Sequence, residues 1–243
     1  MKIFGDAFYI PQVATLPPVG SLGRVLVRTI DAAPYFDTGT AWKHFFTGAT
    51  IGITDGFDDN SLHSMWTAGY QIAAPNGTVT VAETGGQILI TVPSNAVGYN
   101  GIYSTTAFDF SNKTANIQFS GRGISNNGSF IQRFQIVVDA SNYVEFQLAG
   151  TSINTRSRIA GVNSDTFISY DATAHKYCRI RYETSASKLH FETSPDKATW
   201  TSQRIINPFT LAMTSVRAQI AAGTTGAINS ALLTANFDDF SIE

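Results

Sequence analysis

From Thr54 onward the chain changes direction every few residues, and no stretch keeps a 3.6-residue period for more than two turns. Strand-like runs at Thr78–Glu83, Gln87–Val92, Ile102–Phe108, Ala115–Phe119, Phe130–Asp139, Tyr143–Ala149, Phe167–Tyr170, Lys176–Glu183, Lys188–Thr193, Trp200–Ile206, Val216–Ala222 and Leu232–Ile242 are separated by turn signals such as Gly85-Gly86 and Asp139-Ala140-Ser141-Asn142. Short strands at this spacing predict an all-β sandwich or jelly roll. Alternation within the runs assigns faces: Phe134, Ile136 and Val138 oppose Arg133 and Gln135, while Val144, Phe146 and Leu148 oppose Glu145 and Gln147. One helical turn is expected at Ser61–Trp66, capped by Asp59 or Asn60.

A chain of 243 residues is long enough to bury a substantial core without covalent staples. Only 14% of its residues are charged, against about a quarter in ordinary soluble domains, so Ser, Thr, Asn, Gln and Gly must cover most of the surface. The net charge of −2 and the lack of any Lys/Arg run argue against nucleic-acid binding. The apolar runs fall far short of the ~18 residues that span a bilayer, so no membrane insertion is expected. Met1–Gly20 carries Lys2 but also Asp6, Pro11, Pro17 and Pro18, with no apolar stretch of the kind a secretory leader needs. Cys178 is the sole cysteine, which excludes an intramolecular disulfide.

Residues 1–47 read differently. Met1 to Gly20 is expected to be an extended arm, followed by strands at Gly23–Arg28, from Tyr35-Phe36, and at Thr40–Phe45. Gly23-Arg24-Val25 followed by Tyr35-Phe36-Asp37-Thr38-Gly39-Thr40-Ala41-Trp42 resembles the short hairpins of phage tail-fibre and related virion proteins. The resemblance implies an attachment segment with Tyr35, Phe36 and Trp42 as its anchors. It also implies other virion proteins as partners and homo-oligomerisation, with a trimer expected. A polar surface without an export signal suits a virion component that lysis releases.

The remainder, 54–243, is bracketed by Asp55-Gly56-Phe57-Asp58-Asp59 and Asn236-Phe237-Asp238-Asp239-Phe240, which places both ends of one sandwich near each other. His175-Lys176-Tyr177-Cys178-Arg179-Ile180-Arg181, then Phe191, Ser194, Asp196 and Trp200, resemble a run of concanavalin A-like, laminin-G-like jelly rolls. The chain departs from that run with Tyr177 in place of Trp and Lys197 in place of Gly. The resemblance implies a fold that hosts both binding modules and enzymes.

Glycoside hydrolysis needs two carboxylates flanking the scissile bond. Related glucanases set them as Glu-x-Asp-x-Glu on one strand; no such triplet occurs here, and Glu192 to Asp196 reads as a turn. His44, His63, His175 and His190 stand apart from one another, without metal-site spacing. The chain is therefore expected not to be an enzyme and to need no catalytic cofactor. A structural calcium ion is expected to tie the first strand to the last through Asp55, Asp58 and Asp238, with Asp238 on the face of Phe240 and Ile242 if no bulge intervenes. A glycan site is expected from phenol platforms beside polar side chains: Tyr99, Tyr103, Arg133, Gln135, Tyr143 and Gln147. The reading is a non-catalytic virion structural or adhesion protein binding host-surface glycan; the alternative is a carbohydrate-binding module of a bacterial surface or polysaccharide-degrading system.

Overall fold

A computed structural model describes residues 53–122, 130–226 and 232–243 and, as backbone, six short strands within residues 1–52. The chain divides into two compact units, Met1–Gly52 and Ile53–Glu243.

In the first unit β1 (Ile3–Phe4) pairs with β2 (Ala7–Phe8). β3 (Gln12–Val13) runs parallel to β4 (Val25–Arg28), which continues as an antiparallel meander into β5 (Ala33–Asp37) and β6 (Trp42–His44). The three expected strands are present, but the arm before them holds β1 to β3. Tyr35 and Phe36 sit on β5 and Trp42 on β6; their side chains lie outside the described residues.

The second unit is the antiparallel sandwich. Its strands are β7 (Ile53–Asp55), β8 (Trp66–Ala68), β9 (Thr80–Glu83), β10 (Ile88–Val92), β11 (Gly98–Ser104), β12 (Thr114–Arg122), β13 (Phe130–Asp139), β14 (Asn142–Ala149), β15 (Ser152–Ile159), β16 (Val162–Ser169), β17 (Tyr177–Glu183), β18 (Lys188–Ser194), β19 (Thr201–Ile206), β20 (Arg217–Thr224) and β21 (Leu233–Ile242). The front sheet runs β16-β15-β14-β13-β20-β11-β8; the back sheet runs β19-β18-β17-β12-β21-β10-β9, with β7 beside the last residues of β21. No helix occurs among the described residues, and none is therefore long and apolar enough to cross a membrane. The helical turn expected at Ser61–Trp66 is not formed. The Asp59 carboxylate accepts the Ser61 N–H at 3.0 Å, the Asn60 side chain accepts from Gly85 at 2.7 Å, and Trp66 opens β8 instead.

The core lies between the sheets, where the inward positions are almost all apolar. Phe134, Ile136, Val144, Phe146 and Ile220 of the front sheet meet Ile88, Ile117, Ile180, Phe191 and Phe237 of the back sheet. The Phe146 and Phe191 rings meet edge to face at 5.3 Å, and Phe134 and Phe240 do so at 6.3 Å. Each such side chain, fully withdrawn from water, contributes about 1.5–3 kcal/mol. The Cys178 thiol is buried in this core, and burial pushes its pKa up, as expected of an inert sulfur.

The two Asp-Phe brackets meet as expected. Phe240 pairs in register with Asp55, and the Trp66 ring packs on Phe240 at 4.8 Å and on Phe57 at 6.2 Å. One expectation inside this contact fails. β21 carries an extra residue against β12 between Asp238 and Ser241, with Asp239 in the left-handed region at φ 56°. The bulge flips the alternation, so Phe237 and Phe240 both enter the core and Asp238 does not share a face with Phe240 and Ile242.

Candidate functional site

The outer face of the front sheet carries the richest chemistry. Antiparallel register aligns its side chains in rows across the strands. One row runs Tyr103, Gln219, Gln135, Glu145, Arg156, Asp165; the next runs Gly101, Ala221, Arg133, Gln147, Asn154, Phe167. Tyr99 lies beside Gly223, and Tyr143 stands between Val137 and Arg158. All six residues singled out for glycan binding, Tyr99, Tyr103, Arg133, Gln135, Tyr143 and Gln147, therefore share this one face. Period 2 on β13 and β14 turns them away from Phe134 and Phe146.

Facing away from the core does not leave them in water. Gln135 and Glu145 are 0% exposed, Gln147 4%, Tyr143 5% and Arg133 7%. Part of the cover comes from the segment after β8. The Tyr70 ring stacks on Tyr99 at 5.4 Å, and the Gln71 N–H donates to the Gln219 side chain at 3.2 Å. Tyr99 can lie across β20 because its neighbour there is glycine. A Cβ on Gly223 would stand 2.1 Å from the Gly98 carbonyl oxygen and 2.8 Å from the Tyr99 ring.

Glu145 is the hub. Its carboxylate accepts from Arg133 Nη1 at 3.0 Å, Gln135 Nε2 at 2.8 Å and Gln147 Nε2 at 2.6 Å, and Arg156 stands 3.5 Å away. Arg156 continues to Asp165 at 2.7 Å, and Asn154 links Gln147 to Asp165 at 3.1 and 3.0 Å. Burial raises the Glu145 pKa against the pull of Arg133 and Arg156. Burial also acts to raise Asp165, but there Arg156 and Asn154 prevail and hold the carboxyl low. The Arg133 guanidinium lies 4.4 Å over the Tyr99 ring and that of Arg217 5.6 Å over Tyr103.

The network leaves ends open. Among the described residues, Tyr99 Oη, Arg133 Nε, Gln135 Oε1, Asn154 Oδ1, Arg158 Nε and Gln219 Nε2 are buried without a hydrogen-bond partner. Buried polar atoms are almost always satisfied, so such a cluster on one face calls for water or a polar ligand.

Of the residues expected to hold calcium, Asp55 is engaged by protein donors, and Asp58 and Asp238 lie near enough for their charges to interact. The Asp55 carboxylate accepts from the Phe57 N–H at 2.9 Å and from Trp66 Nε1 at 2.8 Å. Burial and the nearby charges of Asp239 and Asp58 raise Asp238. Among the described residues no three His, Cys, Asp or Glu side chains converge where they could hold one metal ion.

Sequence reasoning missed Tyr70, Asn154, Arg156, Arg158, Asp165 and Gln219. Asn154, Arg156 and Arg158 do alternate at period 2, which is the signal that could have found them. Tyr70 lies in a segment with no period.

No protein-family model matches the sequence, and no curated protein sequence matches it. Solved structures do match by fold. The chain is similar to the Crh5 transglycosylase (TM-score 0.57, 13% identity, covering 79% of this chain and 83% of that one). It is similar to the Emp47p carbohydrate recognition domain (TM-score 0.57, 12% identity, 79% and 93% covered). It is also similar to the GH43 protein BlXynB from Bacillus licheniformis (TM-score 0.55, 12% identity), covering 78% of this chain and 38% of that protein. The fold is thus a concanavalin-like jelly roll of the kind found in both glycoside hydrolases and carbohydrate-recognition domains. At these identities the likeness establishes the fold alone.

Proposed function

We propose that the chain is a non-catalytic, lectin-like module that binds glycan on the outer face of the front sheet, and that residues 1–47 carry it on a phage virion as a structural or adhesion protein. One observation carries the binding reading: six buried polar atoms without partners lie on the same face as Tyr70, Tyr99, Tyr103 and Tyr143. Sugar hydroxyls donate and accept, and so can answer Arg133 Nε and Gln135 Oε1 alike, while a phenol ring offers a pyranose a flat apolar surface.

The period-2 row on β14 is Tyr143, Glu145, Gln147, with a single carboxylate. The other carboxylate of this face, Asp165, lies two strands away, with the Arg156 guanidinium between it and Glu145. That cation occupies the space where a water or a glycosidic oxygen would have to stand. The opposite pKa trends of Glu145 and Asp165 favour hydrolysis as a second reading, because acid and base partners are often separated in this way.

Calorimetric titration of the full chain with bacterial surface polysaccharides tests both. Binding that Tyr99→Ala and Arg133→Gln abolish, with no reducing ends released, supports the lectin reading. Release of reducing ends that Glu145→Gln stops would replace it. The virion assignment rests on the hairpin resemblance in residues 23–42. It expects the full chain to scatter light as a trimer, and a monomer mass would remove the assembly role of residues 1–47. Tail or capsid genes beside this one would favour the virion, and sugar-utilisation genes the alternative of a carbohydrate-binding module of a bacterial surface or polysaccharide-degrading system.

A further inference from the structure

The back sheet has a small cavity of its own, on the side of the sandwich opposite the glycan face and made of different residues. It measures about 170 Å³ and is lined by Thr114 and Asn116 of β12, Arg179 of β17, Ser241 of β21, Lys197 and Trp200 from the turn between β18 and β19, and Glu243. A site of this size suits one sugar ring rather than an oligosaccharide.

Asn116 supplies the observation that points to a ligand. It is 6% exposed, its Nδ2 donates to Ser241 Oγ at 3.0 Å, and among the described residues its Oδ1 is buried without a partner. Register places Asn116 between Arg179 and Ser241 on the outer face of the sheet, so its amide faces the cavity those residues line. A buried carbonyl oxygen in this state requires a donor.

Charge then narrows the class. The two cations at the cavity are already matched. Arg179 Nε donates to Glu192 at 2.6 Å, and Lys197 pairs with Asp239. Glu243 adds a further carboxylate. Nothing here requires an anion, since both cations are paired and a further negative charge would stand near the Glu243 carboxylate. The indole of Trp200 is fixed on two sides, its Nε1 donating to the Lys197 carbonyl at 3.0 Å and its ring lying under the Arg179 guanidinium at 4.1 Å. A neutral polyol satisfies this set: one hydroxyl donates to Asn116 Oδ1, others exchange bonds with Thr114 and Ser241, and the carbon skeleton rests against the indole.

We propose that this cavity is a second ligand site, taking a single neutral hexose residue, which would make the module bivalent with its sites on opposite sheets. This site shares no residue with the front-sheet face, so either can bind without the other.

The experiment uses the full chain and follows indole N–H signals by NMR, the Trp200 signal being assigned as the one lost in Trp200→Phe. D-glucose, D-galactose, D-mannose and N-acetyl-D-glucosamine are titrated, with glucuronate and inorganic phosphate as anionic arms. The expected result is a saturable shift of the Trp200 signal by at least one neutral sugar, with millimolar affinity as a small site implies. Asn116→Ala should weaken it at least about tenfold, and Tyr99→Ala should leave it unchanged. Should Asn116→Ala fail to fold, Ser241→Ala reports on the same contact, since it removes the hydroxyl that holds the Asn116 amide. No neutral sugar moving Trp200, or phosphate or glucuronate moving it as strongly as any sugar, overturns the proposal. Loss of front-face binding with Trp200 still responding would sink only the front-sheet reading.

Discussion

Each sheet of the sandwich carries an arginine–glutamate pair on its outer face, and the two pairs behave oppositely. On the front sheet Arg133 meets Glu145 at 3.0 Å with the carboxylate wholly buried, and desolvation prevails: the Glu145 pKa rises. On the back sheet Arg179 meets Glu192 at 2.6 Å with 9% of the glutamate side chain exposed. Burial again acts upward there, but Arg179 and Arg181 outweigh it and the Glu192 pKa falls. Each carboxylate has a second guanidinium at 3.5 Å, so the shorter contact and the residual access to water tip the balance. The same residue types thus form a wholly desolvated, costly centre on one face and a largely buried but favourably paired one on the other. A pair of the first kind is weak evidence for stability, since apolar replacements often do as well. This contrast is a separate reason to seek function at Glu145.

The largest expected effect comes from opening the buried pair. Arg133→Ala strands the Glu145 carboxylate and should cost about 3–5 kcal/mol in urea unfolding. A loss below about 1 kcal/mol, the scale of an exposed pair, would mean water reaches Glu145 and the contrast is false. Arg133→Met combined with Glu145→Leu should return to within about 1–2 kcal/mol of the parent while abolishing glycan binding. If the double variant binds as the parent does, the buried pair is a structural relic and the ligand reading fails.

The pH response should differ in sign. A raised folded-state pKa gives stability that is complete below the ordinary glutamate value and lost as pH rises through the folded one. Glu145→Gln, which cannot ionise, should therefore gain on the parent as pH climbs above about 4.3. A lowered pKa gives stability that is present above the ordinary value and lost as pH falls through the folded one. Glu192→Gln should accordingly match the parent in acid and fall behind it towards neutrality. Melting curves of the three proteins between acid and neutral pH decide this, and parallel curves for both variants would show that neither pair is perturbed as described.

Much of this contrast could be read from the sequence, because it rests on alternation. β13 and β14 gave their faces away through Phe134, Ile136, Val144 and Phe146, and β17 did so through Cys178 and Ile180. β15 was not legible. Its inward positions include Thr155 and Ser157, which hide the apolar period, and the Ala160-Gly161 turn that follows carries positive φ at a residue where alanine gives no warning. β11 begins at Gly98, four residues before its first strongly apolar position, Ile102. The bulge at Asp238-Asp239 left no local mark either. The individual glycan-site candidates were visible, but the rows were not. That Glu145 stands beside Arg156, and Arg156 beside Asp165, depends on the register of three strands, which a single chain does not state. Burial of the outer face was equally hidden, since its known cover comes from Tyr70 and Gln71, in a segment without periodicity.

The smallest effect expected is at the back-sheet pair. Arg179→Ala removes the 2.6 Å contact to Glu192 and the stacking on Trp200, but Arg181 stays within 3.5 Å of the same carboxylate oxygen. Arg181 thus keeps the carboxylate paired, and the cost should be about 1–2 kcal/mol, between that of an exposed pair and that of a broken buried one. Salt separates this case from the front sheet more cleanly than magnitude does. At 1 M salt the screening length drops to about 3 Å, so most of whatever Arg179→Ala costs in dilute buffer should vanish there. The cost of Arg133→Ala should persist, because no counter-ion can enter a site from which Glu145 is closed off. Urea unfolding of both variants at low and high salt gives the comparison directly. An Arg179→Ala cost that survives high salt would assign its origin to packing against Trp200 rather than to charge. A cost of Arg133→Ala that salt erases would place Glu145 in contact with solvent and make the two faces alike.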